Sequence, residues 1–122
     1  MTRKGQYQRR LYHLKKKILV HNYTHLSATE FANAIVQNTE ETIAADERNL
    51  LILFDAREAV IDKSVLTTCI KNAPRVRKYV NKMAIVGVLQ MQLPFVEYVS
   101  RIGGLQAKVC TSFDEAKEWL AE

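Results

Sequence analysis

Apolar residues along this chain fall into short runs separated by longer amphipathic stretches. Residues 18–20, 50–54 and 83–88 form three strand-length runs, and residues 107–110 form a weaker fourth run. Runs of this kind are typical of strands buried on both faces, as in a parallel sheet covered by helices. The alternation of strand and helix, repeated four times, predicts an α/β layer with right-handed crossovers.

Two capping boxes mark the first and the last predicted helix. Ser27 and Glu30 have the spacing at which a serine side chain caps the backbone and the glutamate reaches back. With Phe31 and later apolar residues at helical spacing, they predict a helix over residues 28–45. Ser112 and Glu115 repeat the same arrangement and predict the start of a final helix.

The second and third helices have other terminal signals. Asp62 is a suitable N-cap for the second helix, which we expect Pro74 to end or kink because proline clashes with the preceding turn. Pro94 lies in the first turn of the third helix, where its missing N–H costs nothing. Gly103 is predicted to follow that helix in a left-handed conformation.

The start of the chain has a weaker pattern. One interpretation of residues 8–14 is an antiparallel edge strand paired with residues 17–22, because Lys and Arg commonly occupy exposed edges. The sequence thus predicts one α/β domain over residues 1–122. We expect a mixed central sheet of four or five strands flanked by four helices, with residues 1–6 as a flexible basic arm.

Charge is distributed unevenly along the chain. The net charge is +5, but residues 1–17 contribute +7, and the other 105 residues hold 11 Lys and Arg against 13 Asp and Glu. This imbalance argues against a nucleic-acid partner for the fold as a whole. A second basic cluster consists of Lys71, Arg75, Arg77, Lys78 and Lys82. It either faces an anionic partner or is a solvated loop and helix end, and the second interpretation is the more common one.

No stretch has the roughly 18 apolar residues that a membrane span needs, and no apolar signal-peptide segment follows the first basic residues. Cys69 and Cys110 lack CxxC spacing and lie among apolar neighbours, as buried thiols do in a reducing compartment. We therefore expect a cytoplasmic protein.

Polar residues follow the predicted strands at the edge where open α/β sheets bind ligands. They are His21, Asn22, Tyr23 and His25 after the first strand, Asp55, Arg57 and Glu58 after the second, and Gln90 and Gln92 after the third. A metal site of His21, His25 and Asp55 is conceivable, but a polar loop is the more common arrangement. The sequence contains no phosphate-binding loop and no nucleophile motif. We expect neither an enzyme nor a cofactor.

Several segments together resemble a STAS-type domain, and in particular the small bacterial STAS-like proteins related to sporulation anti-sigma factor antagonists. The likeness extends from Tyr7 to Glu122. It is carried by the order of elements and by four segments: residues 51–55, 62–64, 80–87 and 113–120.

The resemblance implies a mixed sheet flanked by helices and a non-enzymatic binding role. In the phosphorylatable antagonists, an Asp-Ser-Ser-Gly-like element carries a switch serine. The matching stretch here begins Asp62, Lys63, Ser64. Lys63 replaces the serine beside the aspartate and the glycine is missing, so Ser64 is the remaining candidate for such a switch.

Three functions follow as hypotheses. The first is a regulatory module in the bacterial cytoplasm that binds a protein partner through the second helix and the adjacent loop. The second is a carrier or sensor of a small apolar or anionic ligand, suggested by the apolar segment around Gln90 and Met91. The third is a metal-dependent enzyme. The exposed edge strand also permits a dimer.

Overall fold

A single five-stranded sheet forms the centre of the computed structural model, which describes residues 4–122. The strands are β1 (Gln8–His13), β2 (Lys16–Asn22), β3 (Leu50–Asp55), β4 (Val80–Val86) and β5 (Ala107–Cys110). They lie side by side in chain order, with β1 antiparallel to β2 and all other neighbours parallel. The predicted edge strand is therefore present, and it makes the sheet mixed.

Four α-helices connect or follow the parallel strands within the described residues. They are α1 (Ala28–Ala45), α2 (Lys63–Val76), α3 (Leu93–Gly103) and α4 (Phe113–Ala121), and a 3₁₀ turn (Gln90–Gln92) precedes α3. The predicted fold class, a mixed sheet flanked by four helices, is confirmed. None of these helices is both long and apolar enough to cross a membrane.

The two faces of the sheet have separate cores. The α4 face packs tightly around fully buried residues, among them Ile18, Leu53 and Leu120. The opposite face is covered by α1 and α2 around Tyr23 and Phe31, and farther along the sheet by α3. Three helices thus cover one face, and α4 covers the other. Most of the residues of α3 that cover the sheet are only half-buried.

The capping residues of α1 act as predicted. Glu30 N donates to Ser27 Oγ at 3.2 Å, and Ser27 N donates to Glu30 Oε1 at 3.0 Å, so both bonds of the capping box form. Only half of the second box forms. Ser112 Oγ accepts from Glu115 N at 3.0 Å, but the Glu115 carboxylate accepts from Thr111 N instead of Ser112 N.

Gly103 differs from the sequence-based prediction, and one of the two alternatives for Pro74 is wrong. Helix α2 does not end at Pro74 but continues to Val76, because a proline in the last turn removes only one helical hydrogen bond, while a kink there stays a prediction. Gly103 is the buried last residue of α3, and Gly104 takes the left-handed conformation with φ of +68°. A Cβ at Gly103 would lie 2.6 Å from the Ala73 Cβ, so this glycine lets α3 approach α2 closely.

The strand predicted at residues 83–88 lies earlier in the chain. Strand β4 ends at Val86, and Gly87 follows with φ of +94°. A Cβ at Gly87 would lie 2.4 Å from the Arg57 backbone nitrogen. The chain therefore leaves the sheet at Gly87, directly against the loop that follows β3.

The predicted basic arm, residues 1–6, lies partly within the described residues. Gly5 N donates to Glu41 Oε2 at 2.9 Å, and Gly5 O accepts from Gln8 N, which holds this turn against α1. Residues 1–3 of the predicted arm lie outside the described residues.

Candidate functional site

The strand ends where the sequence predicts a crevice are joined by backbone hydrogen bonds. These bonds run from Tyr23 N to Asp55 O (2.9 Å), from His25 N to Arg57 O (3.2 Å) and from Val60 N to Leu26 O (3.0 Å). The loop after β2 is thereby bonded to the loop after β3. The polar side chains of these loops consequently separate into several small groups.

Asp55 and Arg57 form one of these groups. The Asp55 carboxylate is buried and accepts two hydrogen bonds from the Arg57 guanidinium, at 2.9 Å from Nε and 2.8 Å from Nη2. This bidentate pair satisfies the buried charge and raises the pKa of Arg57. His25 forms a second group with Glu58, at 3.1 Å between Nε2 and Oε2, and both side chains are exposed.

The residues at the start of α2 form a third group on the surface. Asp62 caps the helix by accepting from Val65 N at 3.1 Å, and Ser64 Oγ donates to Asp62 Oδ1 at 2.6 Å. These bonds lower the pKa of Asp62. Lys63 is exposed, and so are Gln90 and Met91 on the 3₁₀ turn.

His21 and His25 do not converge on a common metal position. His21 is buried beneath the helices, whereas His25 pairs with Glu58 at the surface. Across residues 4–122, no group of three or more His, Cys, Asp or Glu side chains is placed to hold a metal ion.

An apolar cavity of about 110 Å³, partly open to solvent, lies between the sheet and the three helices on its more loosely covered face. The sheet contributes Ile52, Phe54 and Ile85. The helices contribute Phe31 and Ile35 from α1, Val65 and Cys69 from α2, and Phe95, Val96 and Val99 from α3. The predicted partner or ligand surface comprises ten residues: His21, Tyr23, His25, Asp55, Arg57, Asp62, Lys63, Ser64, Gln90 and Met91. Of these ten, His21 and Tyr23 line the cavity, and Gln92, which was also predicted at a strand end, lines it as well.

Aromatic rings form one end of the cavity. The rings of Tyr23 and Phe31 stack with centroids 4.8 Å apart, and the ring of Phe54 lies 4.6 Å from that of Tyr23. All three side chains belong to the core that α1 forms against the sheet. They give the cavity a wall that fits a flat ring-shaped molecule better than a flexible chain.

A buried polar cluster interrupts this apolar lining. Asn38 Nδ2 donates to the Tyr23 hydroxyl at 2.9 Å, and the same hydroxyl lies 3.5 Å from His21 Nδ1. His21, Tyr23 and Asn38 are 5%, 1% and 1% exposed. Burial lowers the pKa of His21 from 6.5 to about 4, so the imidazole is neutral at pH 7.

Two atoms of this cluster have no hydrogen-bond partner among the described residues: His21 Nε2 and Asn38 Oδ1. The Tyr23 hydroxyl accepts from Asn38, which leaves its own proton for His21 Nδ1. Both unpartnered atoms are themselves fully buried, so the cluster keeps two unpaired polar atoms beneath the apolar lining, where each carries a substantial free-energy cost.

Other polar side chains also line the cavity. On α1, Thr39 Oγ1 donates to Ile35 O, and Thr42 Oγ1 donates to Asn38 O, each at 2.8 Å. On α2, the Cys69 thiol lines the cavity, and burial raises its pKa to about 12. The lining also includes Asn72, Gln92 and Ser100.

Asn38 is a buried polar residue of the candidate site that the sequence analysis missed. It follows Phe31 and Ile35 at helical spacing and precedes Thr42, so a polar amide occupies a position on the apolar stripe of α1. A polar residue at such a position must find a partner in the core, and this is the sequence signal for the buried cluster.

Comparison with known proteins gives a structural neighbour. No family model matches the chain, and no curated protein matches it. The structure is similar to the crystal structure of an uncharacterized protein of the DUF3478 family, with a SpoIIAA-like fold, from Shewanella loihica PV-4. The TM-score is 0.68 at 13% sequence identity, and the match covers 93% of this chain and 91% of that one. The chain therefore has a SpoIIAA-like, STAS-like α/β fold, as the sequence resemblance implies.

Proposed function

We propose that this protein is a STAS-like binding module that takes up a small, largely apolar molecule in the cavity beneath α3. The observation that carries this proposal is the cavity of about 110 Å³, which is lined mostly by aliphatic and aromatic side chains and by no Lys, Arg, Asp or Glu among the described residues. An apolar cavity of roughly 150 Å³ in another protein binds benzene, so a cavity of this order accommodates a single small ring.

The protonation states of the lining groups support a binding role over a catalytic one. His21, with a pKa of about 4, is a weak base, and Cys69, with a pKa of about 12, is a protonated thiol at pH 7. Burial also raises the pKa of Tyr23 above its ordinary value, despite the hydrogen bond from Asn38. This set donates and accepts hydrogen bonds but supplies neither a thiolate nor a phenolate nucleophile.

Helix α3 connects the cavity with an exposed apolar surface. Phe95, Val96 and Val99 face the cavity, while Tyr98 and Ile102 of the same helix are exposed. Leu89 and Met91, just before α3, are also exposed, at 61% and 83%. A molecule that fills the cavity supports α3 from below and fixes the position of this apolar surface, which makes the module a sensor as well as a carrier.

The test is titration of the protein with benzene, monitored by the free energy of unfolding. Benzene at ten times its Kd should raise that free energy by about 1.4 kcal/mol, because a ligand that binds the folded state alone stabilises it. In Val96→Phe the added ring fills the cavity, and the stabilisation should disappear. Val36→Phe makes the same change at an exposed position of α1 and should retain it.

Absence of any stabilisation in the unmodified protein would contradict the proposal. So would an equal stabilisation of the Val96→Phe variant, because benzene would then bind elsewhere.

The regulatory interaction module stays a prediction. The surface that the resemblance points to, Asp62, Lys63 and Ser64, is exposed, but the Ser64 hydroxyl already donates to Asp62. A phosphate on Ser64 would lie beside that carboxylate and be repelled by it. The hypothesis of a metal-dependent enzyme has less support, because His21 is buried whereas His25 pairs with Glu58 at the surface.

A further inference from the structure

Helix α3 carries a row of apolar side chains on its outer face, away from the cavity. Pro94, Tyr98 and Ile102 are all exposed. Residues four apart in a helix lie above one another, so these three side chains form a continuous row. Leu89 and Met91, exposed just before the helix, lengthen this apolar surface. Neighbouring exposed apolar residues of this kind mark an interaction site.

We propose that the outer face of α3 pairs with the same face of a second copy of the chain, with the two helices antiparallel. The inference goes beyond the proposed function and does not depend on what the cavity holds. It is carried by two charged residues beside the apolar row.

Glu97 and Arg101 lie along one flank of this row. At about 100° per residue, they are about 100° and about 60° around the helix from Tyr98, in the same direction. Both are exposed. Although they are four residues apart, their side chains make no ion pair with each other or with any other residue from 4 to 122. One acid and one base on the same flank are therefore available to a partner.

Two-fold symmetry makes this flank complementary to itself. In an antiparallel pair of helices related by a two-fold axis, each flank faces the same flank of the other helix, and residues equally far before and after the axis meet. An axis beside residues 98 and 99 brings Glu97 of each copy to Arg101 of the other. The same axis places the two Tyr98 side chains together and Pro94 near Ile102, so the apolar rows coincide as well.

The mixed charge of the flank favours a second copy over a membrane surface. An anionic bilayer attracts basic residues and would repel Glu97 beside the row. Parallel pairing of the two helices is also disfavoured, because it brings opposite flanks together and leaves both charges unpaired. The edge strand β1 is a less suitable contact between copies, since it carries Arg9 and Arg10.

The experiment measures the Kd of the dimer by sedimentation equilibrium at about 50 mM salt, where exposed charges are only partly screened. We expect the unmodified protein to dimerise below about 1 mM. Glu97→Arg or Arg101→Glu alone should raise the Kd about tenfold, because each replaces two attractive pairs per dimer with two repulsive ones. Lys71→Glu reverses an exposed charge on α2 and should leave the Kd unchanged.

Mixing the two charge variants is the decisive test. The Glu97→Arg copy has two bases on the flank, and the Arg101→Glu copy has two acids. An equimolar mixture should therefore form a heterodimer whose Kd lies within about threefold of that of the unmodified dimer. Antiparallel pairing of α3 with itself predicts this recovery, whereas contact between copies at another surface does not.

A second pair of variants tests the apolar row. Ile102→Lys places a charge in the row and should raise the Kd by at least about tenfold, since the lysine would lose water on pairing. Val36→Lys makes a comparable change on α1, where the side chain is equally exposed at 42%, and should leave the Kd unchanged.

Three outcomes would overturn the proposal. The first is a protein that stays monomeric up to about 1 mM. The second is a dimer whose Kd changes neither in Ile102→Lys nor in the two charge variants, because the copies would then meet elsewhere, as along β1. The third is a mixture of the charge variants that stays monomeric. None of these outcomes bears on the titration with benzene, so this inference and the proposed function fail separately.

Discussion

His21 is a histidine held neutral inside the protein, and this has a direct consequence for stability. Its pKa is about 4 in the folded protein, against 6.5 for an exposed histidine. Between these two values the unfolded chain binds a proton that the folded protein does not. The contribution of His21 to stability is therefore fully present above pH 6.5 and is lost as the pH falls toward 4.

We predict that the free energy of unfolding falls by about 2 kcal/mol between pH 7 and pH 5 because of His21 alone. Denaturant titrations at the two pH values measure this difference. His21→Gln removes the titrating group, and its free energy of unfolding should change by less than about 0.5 kcal/mol over the same interval.

The exposed histidine His25 provides the control. Its ring lies at the surface beside Glu58, so His25→Gln leaves the buried His21 imidazole in place and should keep most of the fall in stability between pH 7 and pH 5. If the free energy of unfolding of His21→Gln falls as much between pH 7 and pH 5 as that of the unmodified protein, another group causes the pH dependence.

At the residue scale, the sequence indicated part of the site. His21 and Tyr23 could be selected because they follow a buried strand, and both line the cavity. The same rule also selected Asp55 and His25, which pair with Arg57 and Glu58 instead. Strand position identifies the end of a sheet, but it does not show which loops bond to one another there.

At the scale of elements, the contact between α2 and α3 depends on the absence of a side chain. Gly103 packs against Ala73, and a Cβ at position 103 would lie 2.6 Å from the Ala73 Cβ. Such a contact is shorter than folded proteins tolerate, so a larger residue must push α3 away from α2.

We predict that Gly103→Ala destabilises the protein by about 1–2 kcal/mol, although alanine favours a helix over glycine by about 1 kcal/mol. Equilibrium unfolding in denaturant measures the change. In the Ala73→Gly background the obstructing methyl group is gone, and Gly103→Ala should then be neutral or stabilising. If the changes in the free energy of unfolding caused by the two single substitutions simply add in the double variant, the two positions are not in direct contact.

The helix boundaries show which local signals suffice and which do not. The bounds of α1 were predicted correctly because its capping box is a local feature of the sequence. The glycine at the end of α3 was assigned to the wrong position because Gly103 and Gly104 are adjacent and tertiary packing decides between them. Gly103 is needed for its contact with Ala73, so Gly104 is left to take the positive φ.

At the scale of the whole molecule, the topology brings part of each basic cluster to the end of the sheet where the parallel strands begin. Strands β2, β3 and β4 are parallel, so Lys16 and Lys17 at the start of β2 lie at the same end as Lys78, just before β4. Ion pairs neutralise part of this charge: Lys17 with Glu47 at 2.8 Å and Arg75 with Glu40 at 2.7 Å. This basic end of the sheet is thus opposite the strand ends that lead into the cavity-facing loops.

The overall architecture was predictable, but the cavity was not. Alternating strands and helices, together with the edge pattern of residues 8–14, were sufficient for the five-stranded mixed sheet. A cavity depends on how closely α3 approaches the sheet, and this distance results from many contacts far apart in sequence. Hydrophobic periodicity shows which face of α3 points inward but not how much space remains beneath it.

The position of Cys69 in the cavity wall lets alkylation of its thiol report on occupancy of the cavity. At a pKa of about 12, its thiolate at pH 8 is more than about a thousandfold scarcer than that of a free cysteine. Alkylation by iodoacetamide should therefore be slow, and we expect the partly exposed thiol to be reached through the cavity that it lines.

We predict that benzene at ten times its Kd slows the alkylation of Cys69 about tenfold, because a molecule in the cavity covers the thiol. Cys110, buried in the core beneath α4, should react at an unchanged rate, and mass spectrometry separates the two sites. Equal slowing at both cysteines would indicate global stabilisation instead of protection at the cavity. Slowing at Cys69 alone would make this wall residue an internal reporter of the fraction of molecules that hold a ligand.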